Sequence, residues 1–546
     1  MRWLASIFLL SILLLLTWLA NVAHLGVVVP PAESRNGQEE ASRTNLSAWY
    51  PKETHGVNHA FLVGDSFERG YAWGKLTKPL LVKQEQALAD KLDELIPSRF
   101  VQRALFLFAK RWFWGIDPYI EDEWKREMYG VSLSAPEEFR SLGEPYLRQV
   151  AYHGLHEVGQ MFVDYGDEGF ACTVLAVPNG KSWLVGRNLD FEAGRIFDEE
   201  KVLKWVYPEH GNPFVSVIWS GMVGAVTGVN SKGVYISINA AGSEDFARLG
   251  TPSTFILLKA LQYSSTAEEA LEIFRKEKTI ITEIFVVSAP GSPFYVIEKS
   301  PGKMVVAKHD GPTAVANHLL DPVWSKDKVN EFRRTDLTSS TRLSRGTELV
   351  NELAAGKSRD PSLMVLALRD KRVGGELLPG NRSAIDALIA THSVVYDSAS
   401  GTLFVSKGPS LSGEFLGYDL AKSFAQRKPV ATRVIPADKD VNPARYTAIK
   451  GDLQLFGRIV NDQNGWDCDG FTELLRGLRG SPTEHYLKYM AIGLVEDRCI
   501  DGLLGKGNWV KASALKPAYA RERKVVQEHG GSCGWGVADP IACGPN

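Results

Sequence analysis

The stretch that most restricts the fold is ACTVLAVPNGKSWLVGRNLDF, residues 171–191. Two strand-like runs flank Pro178-Asn179-Gly180, and that pattern predicts an antiparallel hairpin. A hairpin returns the end of its second strand to the start of its first. Cys172 should therefore lie close to Arg187 and Asp190.

A lone cysteine at the head of an apolar strand ordinarily fills a small buried space. To be a nucleophile it needs a cation to favour the thiolate and a base to take the proton. Arg187 offers the cation, and Asp190 offers a carboxylate to hold a basic nitrogen. The plainer reading of these two is an ion pair at a strand end. A peptide cut before Cys172 would supply the base, because a freed α-amino group titrates at about 7.7–8.0. No histidine is then required. Ala171 is small and leaves its carbonyl open to attack. The cysteine can make the cut itself by an N-to-S acyl shift followed by hydrolysis.

The other four cysteines, Cys468, Cys499, Cys533 and Cys543, fall together near the end of the chain. In an exported protein they read as two disulfides with three possible pairings, and their wide spacing argues against zinc. Export is suggested by residues 3–20, WLASIFLLSILLLLTWLA, which carry no charge. That run lies between a signal-peptide core and a spanning helix in length. Residues 1–30 are therefore read as a signal or a membrane anchor, with the rest on the periplasmic or extracytoplasmic side.

Residues 31–58 are polar and read as a linker, and 59–171 read as mainly helical. Within them, Phe100–Ile120 is crowded with aromatic residues. It reads either as a core helix or as one facing a membrane or an acyl chain, with Arg103, Lys110 and Arg111 at its wet edge. Residues 172–410 run strands, helices, then strands, which suggests an α+β layered fold. Residues 411–546 form a C-terminal extension. The chain carries 62 basic and 64 acidic residues and no basic stripe with interleaved aromatics, which argues against a nucleic-acid partner.

Further residues carry a family resemblance. Cys172-Thr173, followed by Gly186-Arg187-Asn188-Leu189-Asp190, resembles the N-terminal-nucleophile hydrolases. The resemblance is to the acyl-coenzyme A:6-aminopenicillanate acyltransferase family in particular, whose relatives include bile-salt hydrolases and penicillin V acylases. VYISINAAG places Asn239 at a family asparagine, after the Val229–Gly233 segment. TAVANHLLDPVW places Asn317 at the oxyanion asparagine, and SSTRLSR places Arg342 at a second active-site arginine. HSVVYDSASGTLFVSKG resembles the closing hairpin. Gly64, Gly70 and Gly74 match the glycine spacing of the propeptide-derived subunit. Two features depart from the family: Ala171 stands where the penicillin enzyme has glycine, and the cysteine-bearing tail has no counterpart.

The resemblance, which spans about 60–410, implies a four-layer αββα sandwich with a helical propeptide-like region before it. It implies cleavage at Ala171-Cys172 and a Cys172 thioester. The α-amine would act as base and then acid, with Asp190 positioning it and Arg187 stabilising the thiolate. Asn317 and Asn239 would donate to the oxyanion, and Arg342 would supply charge near the pocket or a structural pairing. No metal or cofactor is implied. The expected substrate is a small acyl-amide, lipid-like if the aromatic segment receives the acyl chain. Two other readings remain: a phospholipase-B-like ester hydrolase, and an inactive membrane-anchored binding protein of the same fold. His318, beside Asn317, invites a cysteine–histidine pair, but adjacent strand residues point to opposite faces.

Overall fold

The computed structural model describes residues 10–18, 46–163, 170–191 and 194–451. Its centre is a pair of sheets. The nine-stranded sheet runs in chain order from Ala48–Tyr50 and Asn58–Val63 through Val202–Tyr207, Phe214–Ile218, Thr227–Asn230, Tyr235–Ala240, Glu283–Ser288 and Phe294–Lys299 to Met304–His309. Neighbours are antiparallel except Asn58–Val63, which lies parallel to Val202–Tyr207. The seven-stranded sheet is ordered Thr313–Val315, Phe170–Asn179, Ser182–Phe191, Ala390–Asp397, Thr402–Ser406, Phe415–Asp419, Ala431–Ile435.

Strands buried on both faces read as nearly continuous apolar runs, and FVSVI and YISINA do so. Between the sheets, Trp205, Val215, Val229 and Val286 pack against Val174, Val185, Val394 and Val405. Outside the nine-stranded sheet lie helices Ser66–Leu76, Asp122–Ser132, Ser253–Tyr263 and Ala267–Lys276, contributing Trp73, Trp124, Phe255 and Phe274. Helices Ser339–Ala355 and Pro361–Leu368 cover the other sheet through Val350, Met364 and Leu368. The order of layers is helix, sheet, sheet, helix.

The predicted hairpin forms. Cys172 pairs with Leu189, Val174 with Arg187, and Ala171 with Asp190. Asn179 pairs with Ser182, so the loop is Gly180-Lys181, and Gly180 sits at φ 66°. A two-residue loop of this kind favours glycine at its first position. The glycine spacing upstream has a packing cause. A Cβ on Gly70 would lie 1.9 Å from the Glu127 carbonyl oxygen, and one on Gly74 would lie 2.8 Å from that of Val131. The two helices cross with backbones nearly touching, beside a buried Arg69–Glu127 ion pair of 3.1 Å.

Several expectations are corrected. The linker read over 31–58 contains the strand Ala48–Tyr50 and the helix Lys52–His55. The mainly helical region 59–171 also supplies Asn58–Val63 as an integral strand of the larger sheet. The smaller sheet continues past 410 through Phe415–Asp419 and Ala431–Ile435. The aromatic segment is not a core helix: Phe100, Leu105 and Phe108 on helix Arg99–Trp112 are exposed. Among the described residues, no helix is long and apolar enough to cross a membrane. Cys468, Cys499, Cys533 and Cys543 lie outside them, as do most of residues 1–30.

Candidate active site

Cys172 lies near the start of its strand, with its side chain toward the inter-sheet space and almost fully buried. Strands alternate faces, so Cys172, Val174, Leu189 and Arg187 share one face of the hairpin. Arg187 Nη2 lies 3.9 Å from the Cys172 sulfur. The guanidinium is fixed by the Ile238 carbonyl and Thr227 Oγ1, with His392 Nε2 at 3.4 Å. An arginine can only donate, so Thr227 Oγ1 accepts from it and donates its own proton to His392 Nε2, 3.0 Å away. His392 is thereby the neutral tautomer with hydrogen on Nδ1. Burial and then Arg187 hold its pKa well below the usual imidazole range.

The nitrogen of Cys172 is held from another direction. It donates to Asn317 Oδ1 at 2.8 Å, and Arg342 Nη2 donates to the same oxygen at 2.8 Å. Two donors on one atom fix the amide orientation, so Asn317 Nδ2 points at the Ala240 carbonyl, 2.8 Å away. Asn239 mirrors it and donates to the Ala316 carbonyl at 3.0 Å. Each asparagine thus binds the carbonyl beside the other, which clamps the strand Tyr235–Ala240 of one sheet to the segment after Thr313–Val315 of the other. Asn239 Oδ1 is buried without a hydrogen-bond partner among the described residues.

Arg342 rises from the first turn of helix Ser339–Ala355 and is fully buried. Nη1 donates to the Cys172 carbonyl at 2.8 Å and to Thr173 Oγ1 at 3.1 Å, and Nε donates to Thr338 Oγ1 at 3.2 Å. It grips both sides of residue 172, the carbonyl directly and the nitrogen through Asn317. One turn earlier, Ser339 Oγ accepts from the Asn317 backbone nitrogen at 2.8 Å and meets His318 Nδ1 at 2.7 Å. His318 is therefore engaged with Ser339, and burial followed by Arg342 lowers its pKa to about 4.

Asp190 is buried opposite Ala171, the residue before the sulfur-bearing one. Burial pushes the Cys172 thiol above its usual range. Arg187 and Arg342 pull it back, while Asp190 raises it further. In the uncut chain the sulfur is a neutral thiol at neutral pH, and the nitrogen expected to meet Asp190 rests on Asn317. The two asparagine donors expected for an oxyanion are both committed to backbone carbonyls.

The structure thus brings Cys172, Arg187, Asp190, Asn317 and Arg342 together, with Asn239 one hydrogen bond away through Ala316. The sequence pattern assigns no role to Thr227, His392, Thr173 or Ser339. Ser339 was within reach, since it opens the same SSTRLSR stretch as Arg342. His392 opens the HSVVYDSASGTLFVSKG stretch, but it lies 205 residues from Arg187, and no local signal links the two.

The sequence model of the acyl-coenzyme A:6-aminopenicillanic acid acyl-transferase family matches residues 176–371. That region holds Arg187, Asp190, Asn239, Asn317 and Arg342 and begins just after Cys172. An uncharacterized protein of Archaeoglobus fulgidus is 24% identical over 252 residues, 41% of this chain and 40% of the relative, so the chain spans well under half the length of that curated relative. Among solved structures, the Caenorhabditis elegans ortholog of N-acylethanolamine-hydrolyzing acid amidase is 17% identical with a TM-score of 0.31, covering 42% of this chain and 95% of its own. A mutant conjugated bile acid hydrolase of Clostridium perfringens is 13% identical at 0.33, covering 48% and 96%. Penicillin V acylase of Agrobacterium tumefaciens is 17% identical at 0.30, covering 49% and 98%. Over residues 176–371 the chain is thus similar to the acyl-coenzyme A:6-aminopenicillanic acid acyl-transferase family.

Proposed function

We propose that this protein is a self-processing enzyme that cleaves or transfers the acyl group of an N-acyl amide through Cys172. The observation that carries the reading is the convergence on one buried cysteine of Arg187 at its sulfur, Asn317 at its nitrogen and Arg342 at its carbonyl.

In the first step the Cys172 sulfur attacks the Ala171 carbonyl carbon and loses its proton. Asp190 is the carboxylate within electrostatic reach to receive it. The Ala171–Cys172 carbon–nitrogen bond breaks, the nitrogen gains a proton, and a thioester to Ala171 remains. Water hydrolyses that thioester, leaving a carboxylate on Ala171 and a free thiol and amine on Cys172. The new amine titrates near neutrality, at about 7.7–8.0, and can take the thiol proton that burial otherwise retains. Cutting therefore supplies a near-neutral amine base on the nucleophile's own residue, which the uncut chain does not have.

In turnover the sulfur attacks the substrate carbonyl, and the α-ammonium returns its proton to the leaving amine. Water or an acceptor amine then releases the acyl group. Arg187 stabilises the thiolate. Asn317, once its hold on the uncut amide is gone, is free to turn a donor toward the oxyanion, where one donor is worth about 3–4 kcal/mol in other enzymes.

The test is to trap the acyl-enzyme. Rapid acid quench after mixing with an N-acyl amide should give a mass increase of one acyl group on a peptide beginning at Cys172. A Cys172→Ala variant should give none. Turnover with the acyl group found on another residue, or undiminished in Cys172→Ala, would sink the proposal.

A further inference from the structure

The helix Arg99–Trp112 is built inside out. Its buried residue is polar: Gln102 Nε2 donates inward to Asp93 Oδ1 at 2.7 Å and to the Ile96 carbonyl at 2.8 Å. Several of its apolar residues face solvent, with Phe100 81% and Phe108 60% exposed, while Phe106 and Leu107 are half-buried. Val101, Leu105 and Phe108, all exposed, recur at the spacing that lines one helix face. The Phe108 and Trp112 rings lie 5.7 Å apart, and beyond them the exposed Trp114 carries the Arg111 guanidinium 4.9 Å above its ring. An ordinary surface helix turns its apolar stripe to the core. Here the stripe has no partner among the described residues, although the helix is firmly seated. Arg248 donates to the Trp112 and Trp114 carbonyls at 2.6 and 3.0 Å, fastening the helix end to the segment that follows the Asn239 strand.

Charge selects the occupant of this face. From Ile96 to Ile116 there is no acidic residue, while Arg99, Arg103, Lys110 and Arg111 supply four cations. Arg99 is paired with Asp93 at 2.7 Å, and Arg103 and Arg111 stand exposed beside the apolar stripe. A second copy of the chain docking on the same face would set cation against cation. Exposed aromatic and aliphatic side chains edged by arginine and lysine match the interface of an anionic bilayer instead. We propose that the outward face of Arg99–Trp112, with Trp114, docks the protein on a lipid surface bearing anionic headgroups. The proposal does not depend on the chemistry at Cys172.

The experiment places p-benzoylphenylalanine at Leu105 in the full chain and irradiates it with vesicles of phosphatidylcholine and phosphatidylglycerol at 3:1. A photoadduct reports this helix locally, whereas simple vesicle binding would also report the exposed apolar residues 10–18. The expected result is phospholipid attached to the 99–112 peptide, and none when the probe replaces the exposed Lys357 on the far helical layer. Arg103→Gln with Arg111→Gln should lower the adduct roughly 25-fold, about fivefold per basic residue. Pure phosphatidylcholine vesicles should lower it comparably. Lipid adducts equal at both probe positions, or capture of a second protein chain from position 105, would overturn the proposal. The outcome should be the same in Cys172→Ala, which separates this surface from the catalytic reading.

Discussion

Asn317→Ala is the most informative single change, because one side chain holds both the nitrogen of Cys172 and the guanidinium of Arg342. Removing it leaves the Cys172 N–H buried without an acceptor, at about 1–3 kcal/mol, and removes a charge-assisted bond to Arg342, at about 1.5–3 kcal/mol. Arg342 keeps its bonds to the Cys172 carbonyl, Thr173 and Thr338, so the losses do not include an orphaned charge. The sum is about 2.5–6 kcal/mol against the 5–15 kcal/mol typical of a native domain. Urea unfolding in a Cys172→Ala background, where every chain is uncut, measures this directly. Asn317→Asp sharpens the test. A carboxylate still accepts from both donors but cannot donate to the Ala240 carbonyl. It should lose less than half as much stability as alanine, yet in the Cys172-containing chain it should still lack acyl-amide turnover. If Asn317→Ala shifts stability by less than about 1 kcal/mol, or if Asn317→Asp turns substrate over normally, the assigned role of this residue is wrong.

Other outcomes follow from the same structure. Gly70→Ala should destabilise the protein by at least about 1–3 kcal/mol, the usual cost of overpacking, because its Cβ would meet the rigid backbone of Glu127; thermal unfolding of the purified variant reads this. His153 is fully buried, and burial holds its pKa at about 4 while Nε2 accepts from the Val223 N–H. A folded pKa below the unfolded 6.5 means stability is present in full above that pH. It is lost as pH falls toward 4, by about 3 kcal/mol in total, and His153→Gln should flatten the acid side of a Tm-against-pH curve. Cleavage before Cys172 should not separate the pieces in native buffer, because Asn58–Val63 from the first fragment pairs along its length with Val202–Tyr207 from the second. Native size-exclusion should give one peak that divides only in denaturant.

What the sequence revealed followed the range of the interactions. The Cys172 hairpin was legible because its register depends on a two-residue loop and alternating side chains, both local. The Gly70 and Gly74 spacing was legible as a pattern, but its cause, the backbone of Glu127 and Val131, lay over fifty residues away. Thr227 and His392 were not legible as supports of Arg187, since Thr227 reaches it only when the two sheets stack and His392 only through the long-range pairing of Ala390–Asp397 with Ser182–Phe191. The strand Val202–Tyr207 escaped notice because Lys204 interrupts its apolar run, and that lysine is buried against the Val223 carbonyl and Glu127. The aromatic crowding of Phe100–Ile120 leaves two readings open, a core helix or one facing a membrane or an acyl chain. Only the fold shows that Gln102 turns inward and the apolar stripe outward.

The central claim is that the chain opens its own peptide bond before residue 172. Intact-mass measurement with N-terminal sequencing of the purified protein tests it most directly. Wild-type protein should yield a fragment beginning Cys172-Thr173-Val174, and Cys172→Ala a single uncut chain. Uncut wild-type protein that hydrolyses N-acyl amides at full rate, or a cut that persists in Cys172→Ala, would contradict it.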